Sequence, residues 1–321
     1  MQNHNPSPSP YKASAVAVWA AMIAVYVVWG STYLAIHFAV QTMPPFLMAG
    51  VRFLIAGSAL FLARRIAGDP LPQKIEVRSA GIVGLFLLLG GNGSVVWAEQ
   101  SVPSGLAALM VSSSPLWMLL LEAARPGGQR PSRRAILGIV IGFSGVLLLM
   151  WPGESGGLLQ VNPLGAIVLV FAALAWSFGS IFSRYARMPA SPLMSSAIEM
   201  LVGGAALTLL GLATGEFSKV HFAAISMPSI LGLAYLIIFG SLIGYTAYTW
   251  LLQVAPTSLV STYAYVNPLV ALVIGVLLAN EVLSPRTILA SAVIIGSVIL
   301  TTSAQTKPKD PAPVIVEEEI S

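Results

Sequence analysis

Long apolar runs separated by short polar turns repeat along the whole chain. A helix needs about 20 apolar residues to cross the hydrocarbon core of a bilayer. Runs of this kind fall near 15–38, 46–66, 79–98, 104–122, 133–151, 164–186, 194–213, 229–251, 258–279 and 287–304. The joints hold turn formers: Met43-Pro44-Pro45, Val102-Pro103-Ser104, Arg125-Pro126-Gly127-Gly128 and Trp151-Pro152-Gly153. The pattern predicts an all-α integral membrane protein with ten transmembrane helices. Residues 1–14 are polar and Pro-rich, and residues 305–321 end in Glu317-Glu318-Glu319 and Ile320-Ser321, so both are expected to be disordered tails. The first apolar run exceeds the roughly 7–15 residues of a cleaved signal region, so it is expected to persist as a span.

Composition narrows the class. Of 321 residues, 56% are hydrophobic and 9% are charged, against roughly 25% charged in soluble domains. The net charge of +4 comes from scattered basic residues without a continuous patch, which argues against nucleic acid as a partner. The sequence has no cysteine, which removes disulfides, thiolate metal sites and thiol nucleophiles. With the N-terminus in the cytoplasm, Lys12, Arg64, Arg65, Lys74, Arg78, Arg125, Arg130, Arg133, Arg134, Arg184, Arg187, Lys307 and Lys309 all fall inside. Only Lys219 and Arg286 fall outside, and Arg52 lies within a span. The positive-inside rule therefore predicts that both tails are cytoplasmic.

The two halves of the chain resemble each other. One constant offset pairs Trp29 with Trp176, Pro45 with Pro192, Arg52 with Glu199 and Gly57 with Gly204. A second offset pairs Gly91 with Gly244, Trp97 with Trp250, Gln100 with Gln253, Pro103 with Pro256 and Pro115 with Pro268. The expected domains are a first five-helix repeat over 15–152 and a second over 162–304. Five spans is an odd number, so the second repeat enters from the opposite side. Two inverted five-helix repeats are an architecture of many secondary transporters.

Several stretches carry a family likeness: Trp29-Gly30-Ser31-Thr32-Tyr33, Pro44-Pro45-Phe46-Leu47-Met48-Ala49-Gly50-Val51-Arg52-Phe53 and Gly91-Asn92-Gly93. Val102-Pro103-Ser104-Gly105, Ala197-Ile198-Glu199-Met200 and Ser261-Thr262-Tyr263-Ala264-Tyr265-Val266-Asn267-Pro268 extend it. Over roughly residues 15–304 the chain resembles the EamA type of the drug/metabolite transporter superfamily, close to its bacterial YedA-like exporters. The resemblance implies export of small metabolites such as amino acids, or of toxic organic compounds, across the bacterial cytoplasmic (inner) membrane. The family's Glu after the fourth helix of each half stands at Glu281 in the second. In the first half the corresponding loop is remodelled around Glu122.

Arg52 and Glu199 are the sharpest chemical signals. Each falls in the first two turns of a span, where a charge costs about 2.5–3.5 kcal/mol and needs an interior partner. Glu99 ends the third span on the side of Arg52, and Arg184 ends the sixth on the side of Glu199. The expected pairs are Arg52 with Glu99 and Glu199 with Arg184, either as static bonds between helices or as gates and ion-coupling groups. Glu199 is the proton-carrier candidate.

Trp29 and Trp176 sit mid-span, although tryptophan favours the membrane interface. They predict either a stacking surface for an amphipathic solute or ordinary helix packing. Pro115 and Pro268 are expected to break the fourth and ninth helices and free backbone carbonyls. Freed groups in a bilayer must meet protein or a wet cavity. Ser113, Tyr263, Tyr265 and Asn267 beside those prolines, with Asn92, Tyr245 and Tyr33, complete the expected substrate site. Gly138, Gly142 and Gly145 are spaced for close helix contact within the bundle.

Rival classes find little support. The only aspartates, Asp69 and Asp310, fall in a loop and a tail, so a membrane aspartyl protease lacks its pair. No buried Ser–His dyad, metal-ligand cluster or phosphate-binding glycine loop with Lys appears, and no cofactor or metal is expected. A channel is the alternative to a carrier, but two broken helices in mated positions suit alternating access better. The expected partners are a small-molecule substrate and the lipid bilayer, with protons as a coupling ion. Monomer and homodimer are both left open.

Overall fold

The computed structural model describes residues 14–128, 131–150, 162–279 and 284–303. The expected tails beyond Ser14 and Ser303, the Trp151-Pro152-Gly153 turn and Glu281 lie outside the described residues. In chain order the helices are α1 (Ala15–Val40), α2 (Pro45–Ile66), α3 (Lys74–Ala98), α4 (Ser104–Ala124) and α5 (Arg133–Met150). They continue with α6 (Pro163–Tyr185), α7 (Pro192–Ala213), α8 (Met227–Val254), α9 (Tyr263–Ala279) and α10 (Pro285–Ser303). Seven of them, α1–α4 and α6–α8, are long and apolar enough to cross a membrane, and α5, α9 and α10 are shorter. The described residues contain no strand.

Local chemistry fixes several of the starts. Asn162 Oδ1 accepts from Leu164 N at 3.0 Å, and Pro163 opens α6. Ser191 and Ser226 cap α7 and α8 through Met194 N and Ser229 N, again with proline in the first turn. A capping side chain satisfies a donor that the helix cannot, and proline there loses no bond. The start of α2 is served from elsewhere. The Glu216 carboxylate, just beyond α7, accepts from Phe46 N at 3.3 Å and Leu47 N at 2.9 Å. Negative charge at a helix N-terminus is stabilising. In the turn after α2, Arg64 donates twice to Asp69, at 2.9 and 2.7 Å, and holds its carboxyl down at about 2.

The helices are apolar on nearly every side. Exposed Leu, Ile, Val and Phe such as Val27, Ile55, Leu209, Phe171 and Leu277 clothe the bundle. Such a surface belongs to helices facing hydrocarbon. Inside, α2 packs along α7 and α5 along α10. The α1 helix packs on α8 and α9, α6 packs on α3 and α4, and α4 packs on α9. Gly57 and Gly204 lie where α2 and α7 nearly touch: a Cβ on Gly57 would stand 3.0 Å from Leu201 N, and one on Gly204 2.9 Å from Leu54 N. Gly138, Gly142 and Gly145 of α5 face Thr301, Ser297 and Ile294 of α10.

The helix interruptions differ in part from expectation. In α4 the helix pauses at Ser112-Ser113, and Pro115 sits in the first turn of the resumed helix. Pro268, by contrast, lies inside continuous helix in α9. The pause on that side comes earlier, at Ser261-Thr262, between the short turn Thr257–Val260 and α9. Hydroxyls line both pauses. Ser112, Ser113 and Ser114 donate to the carbonyls of Leu109, Met110 and Val111 at 2.5, 2.8 and 2.6 Å. Thr262 donates likewise to Leu259 O at 2.6 Å. Such bonds compete with the helical ladder. Three helices also widen into π turns, at Val25–Trp29, Leu85–Gly93 and Leu236–Tyr245. Turns of this kind are frequent at functional sites.

Candidate functional site

The π turns line a cavity of about 70 Å³ between the helices. Its walls come from α1 (Trp29, Thr32, Tyr33), α2 (Arg52, Phe53), α3 (Gly91, Asn92), α6 (Trp176), α8 (Gly240, Tyr245) and α9 (Tyr263, Asn267). One side is an aromatic cluster. Trp29 meets Trp176 edge-on at 5.3 Å and Tyr263 edge-on at 5.6 Å, with Tyr248 tilted against it at 4.8 Å. Edge-to-face contacts at these separations are the favoured aromatic geometry. Both indole donors are engaged: Trp29 Nε1 donates to Gly240 O at 3.3 Å, and Trp176 Nε1 to Tyr248 Oη at 3.0 Å. Tyr248 Oη also bonds Ser180 Oγ at 2.8 Å.

The other side is polar. The Arg52 side chain is buried, with residue exposure of 3%. Its Nε donates to Ser241 Oγ at 2.8 Å, and its guanidinium lies 4.6 Å from the Phe53 ring centre. Arg52 Nη1, Asn92 Oδ1 and Asn267 Oδ1 are buried with no hydrogen-bond partner among the described residues. Glu199 stands just behind this wall, 1% exposed. It accepts from Ser195 Oγ at 2.9 Å and from Tyr245 Oη at 2.7 Å, so one hydrogen bond separates it from a cavity residue.

The structure brings together Trp29, Tyr33, Asn92, Trp176, Tyr245, Tyr263 and Asn267, and adds Arg52. Ser113 and Tyr265 do not line the cavity: Ser113 donates to its own helix, and Tyr265 packs half-buried in a neighbouring cluster. The ion pairs found among the described residues do not include either expected one. Arg52 bonds Ser241 instead of Glu99, and Glu199 bonds two hydroxyls instead of Arg184, which is exposed at the end of α6. Hydroxyls of α7 and α8 meet these charges within the bundle, whereas Arg184 is exposed. Sequence reasoning missed Ser241, Gly240 and Tyr248. Only Tyr248 had a legible signal, since it follows Tyr245 by three residues and shares its helix face.

The EamA-like transporter family matches the chain over residues 16–151 and 163–303. The chain belongs to that family. Relatives of this EamA-like transporter include the E. coli K12 "Uncharacterized inner membrane transporter YedA", 40% identical over 286 residues, which are 89% of this chain and 90% of the relative. The "Probable amino-acid metabolite efflux pump" of E. coli K12 is 30% identical over 287 residues, 84% of this chain and 89% of the relative. A solved crystal structure, 23% identical, superposes with a TM-score of 0.64 over 90% of this chain and 96% of that one. That last likeness concerns the fold. This EamA-like transporter is thus a membrane transporter, and its relatives are named for transport, with no enzyme among those described above.

Proposed function

We propose that the chain is a secondary transporter that exports small organic metabolites, amino acids or related amphipathic compounds and drugs among them, by alternating access. It does so across the bacterial inner membrane as ten spans in two inverted halves, with both termini in the cytoplasm. The cavity carries this reading. It is walled by helices of both halves, and it combines aromatic side chains with buried polar atoms that have no hydrogen-bond partner among the described residues. At about 70 Å³ it is smaller than the roughly 300–1,000 Å³ of ligand-sized pockets, so it must widen to hold a solute, as alternating access requires.

The helix contacts support the inverted repeat. Exchanging α1–α5 with α6–α10 maps these main contacts onto one another: α1 on α8 becomes α6 on α3, α1 on α9 becomes α6 on α4, and α2·α7, α5·α10 and α4·α9 map to themselves. A two-fold relation of this kind lets one closed arrangement open toward either face. The efflux relative supports the amino-acid class. Glu199, linked to the cavity through Tyr245, is the coupling group in this reading.

Purified protein in proteoliposomes tests it, with a panel of amino acids, nucleobases and drugs, with and without a pH gradient. Saturable counterflow of at least one solute is expected, whereas single-channel currents would replace the carrier by a channel. Flux should respond to the gradient in the wild type and lose that response in Glu199→Gln.

A further inference from the structure

Among the described residues, Arg52 is the charged side chain that lines the cavity. A guanidinium offers five N–H donors in a planar fork. Here the Nε–H is committed to Ser241 at 2.8 Å. Nη2 lies along Gly240, so close that a Cβ there would stand 2.8 Å from it. Nη1 is buried with no partner among the described residues. What is left for a ligand is the terminal edge of the fork, with Nη1 as the donor that has no partner among the described residues. That edge matches the two oxygens of a carboxylate.

The electrostatics ask for the same group. A cation in the hydrocarbon region is costly until an anion or a set of acceptors meets it. The nearby carboxylate of Glu199 is already taken by Ser195 and Tyr245, and Glu199 and Glu99 do not line the cavity. The same cavity is lined by Trp29, Trp176 and Tyr263 and by Asn92 and Asn267, whose amide oxygens have no partner among the described residues. Amide oxygens accept from an ammonium, and aromatic faces attract one. Resting on the reading of this cavity as the solute's site, we infer that Arg52 docks the carboxylate of an amino-acid-type substrate, with Ser241 as a positioning residue that turns the fork toward the cavity.

The test uses the full-length protein in detergent and reads equilibrium binding, so it does not depend on transport. L-Leucine, L-phenylalanine and L-threonine are each compared with their amides and methyl esters by ligand-induced thermal stabilisation. At least one free acid is expected to bind tenfold or more tightly than its amide and ester. Arg52→Gln should bind acid and amide alike. Arg52→Lys should keep part of the preference, and Ser241→Ala should weaken acid binding while leaving amide binding unchanged. The comparison within the wild type stands even if Arg52→Gln does not fold. Equal binding of acids and amides, no binding of any acid, or a preference that survives in Arg52→Gln would overturn the inference. Acid-selective binding without counterflow would uphold Arg52 and remove the carrier reading. Counterflow of esters as fast as acids would do the reverse.

Discussion

Tyr248 ties the two tryptophans of the cavity together. Its ring packs on both, and its hydroxyl takes the Trp176 indole donor and Ser180. Tyr248→Phe keeps the ring and removes the acceptor, which leaves a buried N–H unpaired at a cost of about 1–3 kcal/mol. A melting temperature lowered by several degrees, with weaker solute binding, is the expected outcome in a thermal scan of the purified variant. At this scale the sequence was informative wherever a residue type is unusual for its depth. Arg52 and Glu199 stood out as charges, and Trp29 and Trp176 as tryptophans away from the interface. Ser241 and Gly240 carried no such mark, because small residues are common in membrane helices and acquire a role only once folding sets them beside Arg52. The same blindness produced the expected ion pairs, since charge sign and depth do not reveal which hydroxyl lies nearer.

The helices α2 and α7 approach closely enough that a methyl group matters. Gly204→Ala would bring a Cβ to 2.9 Å from Leu54 N, and overpacking of this kind costs about 1–3 kcal/mol. The variant should lose thermal stability in detergent more than an alanine placed at Gly296, where a Cβ meets nothing within 4 Å. Equal losses at both positions would refute the close-contact account. The positions of the elements were legible from apolar run length, because a bilayer of fixed thickness sets it. Their internal breaks were less so. Proline marks a lost hydrogen bond, but Pro268 shows that a membrane helix can carry it without a pause. The pauses follow runs of Ser and Thr instead, whose hydroxyls reach back to the preceding turn. Two of the three π turns left a faint trace, in the glycines clustered at Gly90, Gly91 and Gly93 and at Gly240 and Gly244, whereas Val25–Trp29 holds no glycine.

The whole molecule lends itself to a direct test of its orientation, since the chain has no cysteine of its own. The turns after α2 and after α7 are repeat mates, and the inverted reading puts them on opposite sides. Lys219→Cys should react with a membrane-impermeant maleimide in intact cells, and Gln73→Cys only after permeabilisation. Labelling of both from the same side would rule out the inverted arrangement. The α8 helix carries a further consequence. A π turn accommodates a surplus residue in a ladder that otherwise runs at 3.6 per turn. Phe239, on the outer face within Leu236–Tyr245, can therefore be deleted with the helix closing up behind it. Everything downstream then keeps its phase, because the deletion removes the surplus and leaves each regular turn intact, so Tyr245 stays at the cavity. The expected product inserts, folds and still binds its solute. Deleting Ala247 instead, in the regular helix Thr246–Val254, would swing everything beyond it by about 100°, turning Tyr248 away from Trp29 and Trp176 and weakening solute binding. In that sense α8 carries its own tolerance for a lost residue: a single codon is absorbed in one part of the helix and felt in the other.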